Sequence, residues 1–206
     1  MNETTNSIWL TGRVLSLPEY DHTILSENFF RTFIEVRRLS GAADVLPVTL
    51  SERLILSPSA FPEPGGRVSI LGQIRSYNRR AEDGCHLIIT VFGKDVFIPD
   101  ERQLEDVNEA ELTGFICKAP VYRTTPFMRE ISDVMIAVGR GYGKTDFIPL
   151  IAWGRNARFA AELRAGERID IRGRLQSRKY RKQTEHGEEE RTAYEVSCAS
   201  ILRAGE

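Results

Sequence analysis

The 206-residue chain has little with which to staple itself, ligate a metal or enter a membrane. Its three cysteines, Cys85, Cys117 and Cys198, are odd in number and far apart, with neither metal spacing nor a disulfide framework. They read as small apolar core residues of a reducing compartment. His22, His86 and His186 are isolated and stand beside no metal-spaced Cys, Asp or Glu set, so no metal or other cofactor is expected. No apolar run approaches the roughly 18 residues of a membrane helix. Met1 to Ser7 is polar, carries Glu3, and has neither a basic nor an apolar leader region. The expected address is cytoplasmic, in the nucleoid, with no membrane partner. Charge of one sign is also lacking: 28 Lys and Arg face 29 Asp and Glu, a net −1, which argues against a uniformly basic coat but leaves a local basic face open. Catalytic signatures are missing too. Gly143-Lys144-Thr145 has Val138 where a phosphate loop needs its first glycine, and a strand pattern follows instead of a helix. There is no Gly-x-Ser-x-Gly elbow, so the chain is not expected to be an enzyme.

What is present is a repeat. Leu10-Thr11-Gly12 recurs as Leu112-Thr113-Gly114, and the same offset of 102 pairs Asn6 with Asn108, Pro18 with Pro120, Tyr20 with Tyr122, Val36 with Val138, Arg38 with Arg140 and Pro47 with Pro149. Further on, Gly65 to Gly72 matches Gly166 to Gly173 at an offset of 101. The chain therefore divides into 1–99, an exposed linker at 100–107 containing Asp100, Glu101, Arg102, Glu105 and Asp106, and 108–206. Division changes the charge picture. Residues 1–107 hold 11 basic and 15 acidic side chains, a net −4, while the remainder holds 17 and 14, a net +3.

In the second copy, Leu112–Ile116, Ile131–Val138, Phe147–Trp153, Arg168–Leu175 and Tyr194–Ile201 are short runs rich in Val, Ile and aromatics, which read as five half-buried strands. Asn156–Leu163 between the third and fourth reads as a brief helix capped by Asn156. Gly114 and Gly173 fall inside strands, where a bulge or sharp coil lets a small sheet close. The fold class is therefore all-β with short helices: two tandem five-stranded barrels of the oligonucleotide/oligosaccharide-binding (OB) type. Pro58, Pro62 and Pro64 leave the first copy's helix short or missing.

Asn108, Leu112-Thr113-Gly114, Pro120, Arg123, Pro126 and Ala137-Val138, followed by Thr145 to Gly154 and Leu163 to Tyr180, resemble in order the bacterial single-stranded DNA-binding protein family. The resemblance spans the second copy. It implies a sheet that carries single strands without sequence preference, stacking bases on aromatic rings and tracking phosphates with Lys and Arg. The family's four ring positions fall on Tyr142, Phe147, Trp153 and Tyr180, each of which could otherwise be a core or surface aromatic. Arg172, Arg174, Arg178, Lys179, Arg181 and Lys182 form a basic run that could track phosphates or merely solvate a hairpin, and Arg123, Arg140, Lys144 and Arg155 could add to it. Glu185 and Glu188-Glu189-Glu190 make the hairpin tip acidic, so the stem is expected to touch DNA and the tip is not.

Carried back by the repeat offset, the four rings become Ser40, Val45, Ser51 and Arg79. With a modest basic edge at Arg75, Tyr77, Arg79 and Arg80, the first barrel is expected to be mainly structural, serving assembly or a partner. The resemblance implies a homodimer with four OB folds, single-stranded DNA as ligand, and replication, recombination or repair proteins as partners. The chain stops without the glycine-rich linker and acidic tip of many relatives, which puts recruitment by that route in doubt. The alternative is an OB-fold protein-interaction or primosome-accessory module with weak nucleic-acid binding. A single-stranded RNA binder would use the same stacking physics.

Overall fold

A computed structural model describes residues 5–56, 61–81, 84–100, 105–184 and 187–205. Within it the chain runs β1 (Asn6–Val14), β2 (Glu19–Ile24), β3 (Glu27–Arg37), β4 (Ala43–Ser51), α1 (Glu52–Ile55), β5 (Arg67–Ala81) and β6 (Gly84–Phe97). The plan repeats as β7 (Val107–Ile116), β8 (Val121–Thr124), β9 (Glu130–Gly139), β10 (Thr145–Trp153), α2 (Arg155–Ala161), β11 (Arg168–Thr184) and β12 (Gly187–Arg203). In each half the antiparallel order 3-4, 6-5-1 is closed by a β1–β3 type pairing and by one short parallel contact, Val48 with Val91 or Leu150 with Val196. This is the OB barrel, with its helix between the third and fourth barrel strands. The short β2 and β8, absent from the sequence reading, extend β3 and β9 as edge hairpins.

Alternation explains the closure. On β10, Asp146, Ile148, Leu150 and Ala152 are buried while Thr145, Phe147 and Trp153 are exposed. Ile8, Leu10, Ile34, Leu46, Leu50, Ile70 and Ile74 fill the first core; Leu112, Ile136, Ile148, Leu150, Ile169 and Leu175 fill the second. Strand glycines sit where backbones cross closely. A Cβ on Gly72 would lie 2.4 Å from the Phe92 carbonyl oxygen, and one on Gly173 would lie 2.2 Å from that of Ser197. Both stand beside the register shift of the long hairpin.

Four expectations need correction. Cys85 and Cys117 are exposed, and only Cys198 joins the core, because Cys85 sits beside the turn of the β5–β6 hairpin and Cys117 lies just past the end of β7. Asn156 is not a helix cap: α2 follows Gly154, and the Asn156 amide instead donates to the Ala199 carbonyl at 3.0 Å. The helix also ends at Ala161, two residues before the expected Leu163. The linker's far end is not loose, since Asp106 accepts from Arg67 at 2.6 Å and from the Arg37 amide at 2.8 Å. Glu101, Arg102, Pro58, Glu185 and His186 lie outside the described residues. α1, of four residues, is as short as the prolines led us to expect.

The repeat is written into the hydrogen bonds. The Asn6 side chain donates to the Ile74 carbonyl at 2.8 Å and accepts from its amide at 2.9 Å; Asn108 does the same with Leu175 at 2.7 and 3.0 Å. β1 and β7 then join the barrels edge to edge, antiparallel, with Ile8 opposite its own repeat equivalent Ala110. Such a pairing maps onto itself by a local two-fold axis. A second symmetric contact follows from it. Asp44, buried, takes Arg38 of its own barrel at 2.7 Å and the Ser177 amide of the other at 2.8 Å. Asp146, equally buried, takes Arg140 at 2.9 Å and the Ser76 amide of the other barrel at 2.7 Å. The Ser177 and Ser76 hydroxyls complete the exchange by accepting from the Val45 and Phe147 amides.

Candidate nucleic-acid interface

Phe147 and Trp153 stand six residues apart on β10, three full pleat periods, so they project from one face, opposite the core. Phe147 lies at the seam between barrels, its amide held by Ser76. Trp153 ends the strand, and Gly154, with φ of 55°, turns the chain into α2, where Arg155 is exposed. Tyr180 lies on the long β11–β12 hairpin opposite Arg191, with the Arg178 guanidinium 5.8 Å from its ring centre. All three rings are more than a third exposed: 44% for Phe147, 38% for Trp153 and 37% for Tyr180. Large aromatics left in water in a chain with a full core are ready to stack on a base. Tyr142 falls in a short 3-10 turn, Gly141–Gly143, and its side chain lies outside the described residues.

Most of the cations meet carboxylates. On the stem, Lys179 pairs with Glu190 at 2.8 Å, Arg181 with Glu188 at 3.3 Å and Arg178 with Glu195 at 3.4 Å, while Lys182 stands opposite Glu189 in the ladder. The cross-strand pairing therefore folds the acidic segment back along the basic one. Lys179 is raised and Glu190 lowered from their ordinary pKa values by this hydrogen bond and its charge. Arg172 pairs with Glu111 at 3.1 Å and Arg123 with Asp133 at 2.9 Å. Apart from Arg178, whose partner Glu195 is buried and also accepts from Gln176, these are exposed pairs, weak and screened, which a phosphate can replace. Lys144 is exposed beside the 3-10 turn.

Arg140 and Arg174 differ from the rest. Arg140 is held by Asp146 and reaches the Ser76 carbonyl, so it fastens the seam. Arg174 is half-buried near Asp44 and Arg38; burial first, then Arg38, lowers its pKa, and its Nε has no hydrogen-bond partner among the described residues. The basic run thus divides into a seam-facing Arg174, a half-buried Lys182 and an exposed remainder. Sequence reading missed Asp44, Asp146, Ser76 and Ser177 altogether. The signal was present, since both aspartates obey the 102 offset and follow Arg38 and Arg140 by six residues.

Comparisons with known proteins agree with this geometry. Residues 107–203 match the model of the single-strand binding protein family. A single-stranded DNA-binding protein of Clostridium tetani is 33% identical over 81 residues, covering 36% of this chain and 56% of that protein. Its counterpart in Caldanaerobacter subterraneus subsp. tengcongensis is 33% identical over 79 residues, covering 35% and 53%. The chain spans about half the length of the curated relatives it matches. Crystal structures of the single-stranded DNA binding protein from Thermus aquaticus superpose over the whole chain. A deletion mutant gives a TM-score of 0.79 at 19% identity, covering 100% of this chain and 97% of that one; the wild type gives 0.76 at 20%, covering 99% and 95%. At that identity the likeness establishes the two-barrel fold.

Proposed function

We propose that this chain, whose residues 107–203 match the model of the single-strand binding protein family, binds single-stranded DNA without regard to sequence and shields it during replication, recombination and repair. The observation that carries this is the set of exposed rings on the second barrel, Phe147, Trp153 and Tyr180, rimmed by cations in weak, displaceable ion pairs such as Lys179 with Glu190 and Arg181 with Glu188. Tyr142, the exposed Arg123, Lys144, Arg155, Arg172, Arg178, Lys179 and Arg181, and the half-buried Lys182 complete the assignment, with Arg140 and Arg174 at its seam edge. The division into residues 1–99, 100–107 and 108–206 makes the second barrel the main binding unit. No chemical step is assigned to it. No described helix is long and apolar enough to cross a membrane, and the site of action proposed is the cytoplasm, on nucleoid DNA.

Assembly as a homodimer is part of this proposal. Trp9, Leu71, Phe97 and Phe115 leave apolar surface exposed on β1, β5, β6 and β7. A cleft of about 790 Å³ lined by Trp9, Leu71, Glu109, Glu111 and Arg172 lies across the local two-fold axis. Light scattering at micromolar concentration should give twice the chain mass, and a strict monomer refutes the dimer.

The decisive experiment titrates oligo(dT), oligo(rU) and duplex DNA at two salt concentrations, following Trp fluorescence, and repeats the titration with Trp153→Phe because Trp9 also reports. Tight dT binding, weak duplex binding, quenching and a steep salt slope are expected. The protein-interaction module draws its support from the carboxylates that already occupy the stem cations. Binding of dT no tighter than of duplex would favour it, and equal binding of rU and dT would widen the ligand to RNA.

A further inference from the structure

The first barrel lacks rings at all four family positions, yet its outer face is not bare. His22 on β2 stacks on Phe29 of β3, with ring centres 5.1 Å apart and planes 16° from parallel. Phe29 meets Phe92 of β6 at 5.7 Å, and the Arg75 guanidinium lies 5.7 Å from the Phe92 ring centre. Together with the exposed Tyr77 and Arg79, these residues line a groove of about 670 Å³ that runs to Ser76 and Arg140 at the seam. The repeat register puts Arg123, Ile131, Ser197 and Gln176 at the places of His22, Phe29, Phe92 and Arg75, with no ring among them. The second barrel therefore does not repeat this groove, which is not an inherited set of stacking positions.

Charge at the seam end points to what enters. Arg75 and Arg140 share one carboxylate, Asp146, at 3.2 and 2.9 Å, so two guanidiniums face a single negative charge. Burial first, and then repulsion from Arg140, lower the Arg75 pKa. The other acid of the groove, Asp21, is taken by Arg31 and His22. A half-buried cation pair with one compensating anion attracts a second anion, and a wall of aromatic faces beside it accepts a planar base. Phe147 of the second barrel lies at the same seam, one residue from Asp146.

We propose that this first-barrel groove is a second nucleotide-binding site, taking a base against Phe92 and Tyr77 and its phosphate between Arg75 and Arg140, so that one strand passes from the second barrel across the seam into the first. The inference rests on the proposed single-strand binding. It assigns the strand a path and gives a share in it to the acidic half, which lacks rings at the four family positions.

The test compares an oligo(dT) of about 12 nucleotides, within the reach of one OB fold, with one of about 32, enough for two. In the unaltered protein the long strand should bind more tightly than the short one. Phe92→Ser, which installs the second barrel's residue, and the double variant of exposed side chains Tyr77→Ala with Arg79→Ala, should each reduce that length advantage about tenfold, the loss of a stacked base. Because Phe92 packs against Phe29, the surface double variant guards against a folding artefact. Photocrosslinking a long oligonucleotide containing 5-iodouracil to the unaltered protein should label peptides holding Tyr77 or Phe92 as well as Trp153. If short and long strands bind but crosslinks fall only on the second barrel and neither change alters the length advantage, the groove is not a strand site. If the unaltered protein binds neither length, the proposed function itself fails.

Discussion

Asn6 and Asn108 tie the same pair of strands in the two barrels, whereas Val45 and Ser51 stand where Phe147 and Trp153 project. Inside the repeat, residues that satisfy buried backbone are kept; on its outer faces, exposed residues have parted. Thr11 and Thr113 show how fine the division is. Thr11 meets the Ser69 hydroxyl at 2.7 Å, and Thr113 donates to the Asp170 carboxylate at 2.7 Å, with the hydrogen bond kept and its chemistry changed. The lesson is that two copies of one frame hold their shape through buried polar contacts, which are costly to leave unmade, while a half-exposed strand face is free to exchange Phe for Val.

The largest test of that frame is at the seam. Asp44 and Asp146 occupy equivalent buried positions, but Asp146 forms ion pairs with both Arg75 and Arg140, while Asp44 forms one with Arg38 and acts on the half-buried Arg174 only from a longer distance. Removing one member of a buried pair leaves an uncompensated charge and costs about 3–5 kcal/mol. Asp146→Ala should therefore lower urea stability by that order, and Asp44→Ala by less. Equal losses would mean that Arg75 adds nothing and that the seam is as symmetric in energy as in outline.

Next come the strand glycines, through which the two barrels compare position by position. A Cβ on Gly12 would sit 2.3 Å from the Glu35 carbonyl oxygen, while one on Gly114 would sit 2.9 Å from that of Ala137. Backbone cannot yield as a side-chain tip does, so overpacking should cost roughly 1–3 kcal/mol. Gly12→Ala is expected at the upper end and Gly114→Ala near the lower, read from denaturant midpoints. The reverse order would show the first barrel to be the looser of the two.

Much of this was legible in the chain. The 102 offset, the alternation around Ile169 and Ile171, the strand glycines and the prolines after α1 give the barrels, their order and the shortened first helix. β2 and β8 were not, because Glu19–Ile24 and Val121–Thr124 bury none of their residues fully and so carry no apolar periodicity. Nor was the compensation of the stem cations. Which glutamate faces Lys179 depends on the turn at Gly187, which sets the register, and no spacing rule gives that in advance. The first-barrel cluster was hidden for a related reason: His22, Phe29, Phe92 and Arg75 come from four strands, and only barrel closure brings them together.

The stem pairing supplies a smaller prediction. Glu188→Gln with Glu190→Gln removes the partners of Arg181 and Lys179 without touching the core. Oligo(dT) affinity at low salt should rise, and the slope of log K against log salt should steepen by about 0.7 for every further phosphate neutralised. The corresponding first-barrel hairpin sets Arg79 opposite His86 and Arg80 opposite Cys85, so no carboxylate faces these cations across the ladder. An unchanged slope would mean that the strand never reaches the stem.

The smallest effect compares the two hairpins at a single pair of equivalent sites. Gly72 faces Gly93 in the first barrel, and Gly173 faces Cys198 in the second. Cys198 is buried, and burial pushes its thiol up to about 12, whereas Cys85 is exposed and burial raises Cys117 more modestly. The thiolate is the reactive form, and a raised pKa leaves less of it at any given pH. At pH 8 a thiol reagent should label Cys85 first, Cys117 more slowly and Cys198 only as the second barrel opens. Gly93 stands at the place of Cys198 in the first barrel, and a Cβ there would meet the Leu50 Cδ2 methyl at 2.5 Å, a flexible tip that can move aside. Gly93→Cys should therefore fold with a modest stability loss and place a matching protected thiol in the first barrel. The two labelling rates then compare barrel opening directly, and adding oligo(dT) should slow labelling at Cys198 through its bound barrel. If a long strand slows labelling at residue 93 as well, the acidic barrel holds the strand too; if only Cys198 responds, its part in binding is confined to the seam.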